Sequence, residues 1–214
     1  MQPLRLYDYT ASANCLKVRL LLAQLDLPYE RVPVDIFAGD TLTDEFAAIN
    51  PVRSTPVLQI GDDTYLAESN AILVYLADGT PFLPNDAYGR ADVVRWLIVE
   101  QGDVMNPIGG LRFRLQTGRL RPDDPEALRR RRAGEQTLAL LDAHLATHEF
   151  LAGDYSIADV AVYAYTHVAP EAGFEIPAGV ERWLRSVEAR PRFVNDLAPY
   201  PPNARAGAGR SVYD

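Results

Sequence analysis

The chain is short of the residues that carry several common chemistries. Its 214 residues include one cysteine, Cys15, and three histidines, His144, His148 and His167. One cysteine excludes an intrachain disulfide and a thiolate metal cage, and fits a reducing compartment. His144 and His148 stand four apart and would share a helix face, but no HExxH-type frame surrounds them, so no metal is expected. Basic residues are outnumbered, 21 Lys and Arg against 29 Asp and Glu, for a net charge of −8. That balance argues against nucleic acid and anionic membrane as partners, while allowing a small anion in a local positive pocket. No apolar run reaches the roughly 18 residues of a membrane span. Residues 1–8 already alternate like a strand, which speaks against a signal segment. The expectation is a cytoplasmic globular protein, 48% apolar and 23% charged, long enough for one large or two small domains.

The pattern of residues changes partway along. Residues 4–9, LRLYDY, alternate like a strand, and the small polar stretch Thr10–Asn14 leads into a helix from about Cys15 to Leu25. Asp26-Leu27-Pro28 ends that helix, and Tyr29–Asp35 reads as a second strand, completing a βαβ unit with the usual right-handed crossover. A loop over 36–50 carries a helical piece at 44–49. Strands at 55–60 and 64–67 flank the hairpin signal Gly61-Asp62-Asp63, and a helix follows over 69–77. From Tyr88 to Asp196 everything reads as helix and connections: 88–120 with a bend at Gly109-Gly110, 125–148, 156–168 and 181–189. The fold class is therefore α/β plus all-α. A βαβ-ββα domain occupies residues 1–80, a linker 81–87, a helical bundle 88–200, and a Pro-, Gly- and Ala-rich surface tail 201–214.

Taken alone, the polar motifs have local readings. Pro56 opens an edge strand. Ser69 caps a helix whose N-terminus favours a nearby acid such as Glu68, and Ser12 or Asn14 caps the first helix. Ser156 and Asp159 form a capping box with a shortened acid. Four consecutive arginines, Arg129–Arg132, point around a whole helical cylinder among acids, so they form a solvated face rather than a nucleic-acid stripe.

Four segments together resemble the cytosolic glutathione transferases: Tyr9–Arg19 with the Leu27-Pro28-Tyr29-Glu30 turn, Asn50–Leu58, Glu68–Leu76, and Phe150–Asp159. They stand in the family's order and separations, and the resemblance covers about residues 4–197. It implies a thioredoxin-like N-terminal domain followed by a helical-bundle C-terminal domain. It implies less about the reaction, because that fold family also includes isomerases, dehalogenases, thiol–disulfide reductases and proteins without catalysis.

By the same resemblance, Pro56 is cis, and Thr55 offers its backbone to the cysteinyl part of glutathione as a short added strand. Ser69 and its N–H hold the α-carboxylate of the γ-glutamyl group, and Glu68 takes the α-ammonium. The reactive centre lies at the start of the first helix. A thiol with a pKa of about 8.5 needs roughly 1.4–3 kcal/mol in favour of the anion to fall by one or two units. One hydrogen bond to a charged group supplies about 1.5–3 kcal/mol. A single hydroxyl therefore suffices. Ser12 aligns with the serine of theta- and zeta-like members, and Asn14 with an asparagine used in some bacterial members. Tyr7 and Tyr9 are rivals, because other members use a tyrosine near the end of strand 1. Cys15 is a sharper rival, since beta-type members carry a cysteine in this loop, and its use would favour mixed-disulfide chemistry. A second-substrate pocket between the domains would draw on Trp96, Met105 and Arg112, and Glu100 or Asp103 would reach across a homodimer. Glutathione is then a co-substrate. The alternatives to conjugation of a small electrophile are thiol–disulfide or peroxide reduction, and glutathione binding without turnover.

Overall fold

The computed structural model describes residues 3–213. Two compact units make up the chain, one formed by residues 1–76 with those from Val194 on, the other by Ala77–Phe193.

The first unit follows the pattern read from the sequence. Its elements are β1 (Leu4–Asp8), α1 (Ala13–Gln24), β2 (Tyr29–Pro33), α2 (Asp44–Ile49), β3 (Val57–Gly61), β4 (Thr64–Ala67) and α3 (Ser69–Ala77). The strands form one sheet in the order β2-β1-β3-β4. β1 runs parallel to β2, as a βαβ unit requires, and antiparallel to β3; β3 and β4 form the hairpin. Tyr7 lies opposite Val32 on one side and Val57 on the other. The register slips between Gln59 and Gly61, where the hairpin turn begins.

Helix α1 is enclosed on every side, with Cys15, Leu16, Val18, Leu20, Leu21 and Leu22 at 0% exposure. Two cations are buried with them, Lys17 and Arg19. Charges taken from water need partners: Lys17 donates to Ser69 and Asn70, and Arg19 is held by two acids. Its Nη1 meets Asp8 Oδ1 at 2.5 Å and its Nε meets Asp196 Oδ1 at 2.6 Å. Arg31 bonds the other oxygen of each acid, so the ring of two acids and two arginines closes. Asp196 belongs to the C-terminal stretch, which is tied down more firmly than a surface tail. Ala198 N donates to Thr10 O, Arg210 N donates to Phe37 O at 2.8 Å, and Ala204 is fully buried. Between these anchors residues 205–208 are exposed, as are Arg210, Val212 and Tyr213. The anchors are mostly backbone bonds, which composition does not reveal. Asp196 is half-exposed, so Asp196→Ala is expected to cost only about 1 kcal/mol. Urea denaturation of the two proteins checks this, and no measurable loss would leave the ring without a role in stability.

The second unit holds α4 (Ala87–Val99), a π-helical stretch (Glu100–Gly109), α5 (Gly110–Gln116), α6 (Pro125–Leu145), α7 (Ile157–Thr166) and α8 (Ala178–Glu188). α7 is its central helix, buried all round and packed against α4, the π stretch and α8. The bend expected at Gly109-Gly110 is instead this widened stretch. Pro107 lies inside it, where a missing N–H and the ring's bulk oppose regular α-helical bonding. Gly109 serves packing: a Cβ there would overlap the Tyr165 ring. Among the described residues no helix is long and apolar enough to cross a membrane.

Candidate functional site

Three segments of the first unit converge at the start of α1. Ser12 occupies the N-cap position in extended conformation, and its Oγ accepts from Cys15 N at 3.3 Å. Capping and catalysis are thus compatible in Ser12. A hydroxyl accepts through its lone pairs and still has one proton to donate.

Cys15 is fully buried, and its Sγ accepts from Tyr9 N at 3.4 Å. Burial, and then the charge of Asp8, push its thiol up to about 12, although the Tyr9 N–H and the Ser12 and Thr55 side chains pull the other way. A thiol so placed stays protonated at neutral pH and is out of a ligand's reach. The two tyrosines are no better suited. Tyr7 packs edge-on against Phe46 and Tyr65, and burial raises its pKa. Tyr9 packs edge-on against Phe37 with its hydroxyl buried and without a hydrogen-bond partner among the described residues, and burial raises its pKa too.

The second segment is the loop before β3. The Thr55–Pro56 bond is cis, Pro56 is buried and Thr55 half-buried. Asn50, itself enclosed, shapes the approach. Its Nδ2 donates to Ser54 O at 2.9 Å and its Oδ1 accepts from Val52 N at 3.1 Å. Arg53 lies in the left-handed region, at φ 59°, with Nη1 donating to Thr41 O and Thr43 O, each at 3.0 Å.

The third segment is the start of α3. Glu68 is exposed and adopts φ 67°, a left-handed conformation uncommon outside glycine that gathers at functional sites. Its carbonyl accepts the bond from Ile72 N, so Glu68 precedes the helix and Ser69 is its first residue. Ser69 is almost enclosed, and its hydroxyl bonds sideways to α1. Oγ donates to Asn14 Oδ1 and accepts from Lys17 Nζ, both at 3.3 Å. Lys17 also donates to Asn70 Oδ1 at 3.3 Å. Asn14 therefore links the two helix starts, a role its place in the motif did not indicate. Lys17 went unmarked in the sequence, where its only signal was a charge inside an otherwise apolar helix.

Candidates in the helical unit are placed differently. Trp96 is 1% exposed, its ring 4.9 Å from that of His144. Arg112 is 3% exposed, with its Nε bonded to Glu171 at 2.7 Å. Both are packed inside this unit, and neither presents its polar group outward. Met105 is half-buried in the π stretch. Glu100 is fully enclosed, whereas Asp103 is exposed. The arginine run points around α6 as its period requires. Arg129 and Arg130 bond Glu126, Arg131 bonds the carbonyls of Ala172 and Gly173, and Arg132 is exposed. His144 and His148 stack with ring centroids 4.1 Å apart. His144 Nε2 bonds Leu151 O, and His148 Nδ1 bonds His144 O.

Comparison with known proteins bears on the same segments. The family described as the N-terminal domain of glutathione S-transferase matches residues 11–78, which include all three. Glutathione S-transferase 3 of Zea mays is 34% identical over 97% of this chain and 100% of its own length. The crystal structure of a glutathione S-transferase from Pseudomonas fluorescens Pf-5 is 40% identical and superposes with a TM-score of 0.88, covering 92% of this chain and 100% of that one. A disulfide-bond oxidoreductase of Escherichia coli (strain K12) is 31% identical over 88% of this chain and 72% of its own length. With likeness extending along nearly the whole chain, and not only through the motifs at the helix starts, the protein belongs to the glutathione S-transferase family.

Proposed function

We propose that this protein binds glutathione in its first unit and stabilises the thiolate for attack on a small electrophile. One observation carries the reading: the start of α1 and the start of α3 are joined through the Ser69–Asn14 hydrogen bond. The residues suited to the thiolate thereby sit beside those suited to the charged end of the peptide. Ser12 donates its proton to the sulfur, at a helix N-terminus that favours an anion. Thr55 lends its backbone to the cysteinyl residue. Ser69 receives the α-carboxylate, and Glu68, exposed beside it, receives the α-ammonium. The protein so read is cytoplasmic, in keeping with its single cysteine, and a homodimer, as the family resemblance implies.

A ligand present at about 100 times its dissociation constant stabilises the folded state by about 2.7 kcal/mol. Glutathione at millimolar concentration should therefore raise the melting temperature by several degrees. Turnover should follow with 1-chloro-2,4-dinitrobenzene. An unchanged melting temperature, together with no binding by calorimetry, would refute the reading. The relative named as a disulfide-bond oxidoreductase favours a second reaction at the same site, reduction of a mixed disulfide. In that case glutathione's own sulfur at Ser12 would attack, because Cys15 is buried and protonated. Assays with a disulfide and with the chlorinated aromatic distinguish the two reactions, and Cys15→Ala should leave either one intact.

A further inference from the structure

The loop that joins β2 to α2 is held at both ends by segments far from it in the sequence. Its first half is held by the C-terminal segment. Asn203 Nδ2 donates to Asp35 Oδ2 at 2.8 Å, Arg210 N donates to Phe37 O at 2.8 Å, and Ala38 forms a β-bridge with Arg210. The Phe37 ring is buried, with its centroid 5.9 Å from that of Tyr9 and 6.2 Å from that of Tyr213. The two backbones approach so closely that a Cβ on Gly209 would lie 2.5 Å from Asn203 O and 2.6 Å from Phe37 O. The end of the loop supplies the carbonyls of Thr41 and Thr43 to Arg53 Nη1. Arg53 stands two residues before Thr55, in a left-handed conformation that a long side chain keeps only where its surroundings fix it.

We propose that residues 198–213 are a strap that fixes loop 35–43, and through it Arg53 and the turn into Thr55, so that the strap sets how firmly the first unit holds its ligand. The choice of glutathione as that ligand rests on the reading above. Ordering a loop costs conformational entropy, which contacts at both of its ends offset. With the strap released, the loop visits conformations in which Thr41 and Thr43 no longer meet Arg53. Apparent affinity then falls with the fraction of molecules whose loop is in place. Asn203 and Gly209 are the positioning residues of this device. Asn203 acts through a hydrogen bond, and Gly209 by having no side chain where two backbones meet.

Two variants test the strap at separate points. Gly209→Ala sets a methyl against two backbone oxygens and should lift Arg210 from Phe37. Asn203→Asp keeps the size of the side chain but replaces a donor with a carboxylate facing Asp35. In each, the amides of residues 36–42 should exchange with solvent faster than in wild type, while those of β3 keep their rates. The dissociation constant for glutathione, read by calorimetry, should rise about fivefold, the scale of one net hydrogen bond. KM for glutathione should rise with it, and kcat at saturation should hold. A purely structural role would lower the melting temperature and leave these constants where they were. Gly207→Asn is the control within the same strap. Nothing lies within 4 Å of a Cβ added there, and asparagine tolerates its φ of 73°, so neither exchange nor affinity should move. If Gly209→Ala does not fold, Asn203→Asp still decides. Wild-type exchange in the loop of both variants, or a looser loop that binds glutathione as tightly as before, overturns the proposal. If wild type itself fails to bind glutathione, the reading beneath falls, and the exchange rates alone decide whether the strap holds the loop.

Discussion

Asp159→Ala is expected to lower the unfolding free energy by about 3–5 kcal/mol at pH 7.5. The carboxylate is fully buried and accepts from donors in three places. Oδ1 accepts from Leu151 N at 3.0 Å and from Trp183 Nε1 at 2.8 Å, and Oδ2 accepts from Ser156 N at 3.0 Å. Alanine leaves these donors in the core without that partner. The motif around Ser156 is thus more than a helix cap, since it also fastens the preceding loop and α8. The pH dependence has a definite sign. Burial raises the carboxyl from 3.8 to about 6, against the pull of its donors. Because the folded value is the higher one, wild type gains stability as pH falls from about 6 toward 4 and lacks that gain at neutral pH. The difference between wild type and the alanine variant should therefore widen, by about 2 kcal/mol between pH 7.5 and 4.5. Urea titrations at both pH values give the result. A gap that narrows on acidification would mean that the fold favours the Asp159 anion.

Helices and strands whose patterning is local were legible in the sequence. The βαβ unit, the hairpin and the stripe on α7 each come from residues a few positions apart, and the structure forms them within a residue or two at most ends. What was not legible depends on distant partners. Lys17 and Arg19 look like solvent-facing residues until Ser69, Asp8 and Asp196 are brought to them, up to 177 positions away. The π stretch depends on Pro107 and on the packing of its neighbours, not on any turn signal. In the site, the residue types were readable because the resemblance supplied their roles. The hydrogen bond that joins Asn14 to Ser69 was not, because it links residues 55 apart in different motifs. Cys15 shows the limit of motif reading most clearly. One position along a helix turns a side chain by about 100°, and Cys15 faces the interior where a one-residue shift would have made it a nucleophile.

Ser12→Ala should reduce kcat/KM for conjugation about 10- to 100-fold at pH 6.5, and much less above pH 9. Those limits correspond to loss of one or two pKa units of thiolate stabilisation. Near neutral pH the thiolate fraction follows the pKa directly, whereas above pH 9 glutathione ionises unaided, so the pH–rate profile should move up by the same amount. The serine has a second role that must be separated from the first. Its Oγ caps α1 by accepting from Cys15 N at 3.3 Å, and alanine at an N-cap costs about 1 kcal/mol of stability. A slower enzyme could therefore reflect a frayed helix. Ser12→Asp resolves this, because aspartate caps at least as well and its charge suits the helix N-terminus. It has no proton to donate at neutral pH, however, and it places a negative charge beside the forming thiolate. If Ser12 acts on the sulfur, the aspartate variant should match wild type in thermal stability and fall below even the alanine variant in activity. If Ser12 is only a cap, the aspartate variant should be stable and fully active, with an unmoved pH profile.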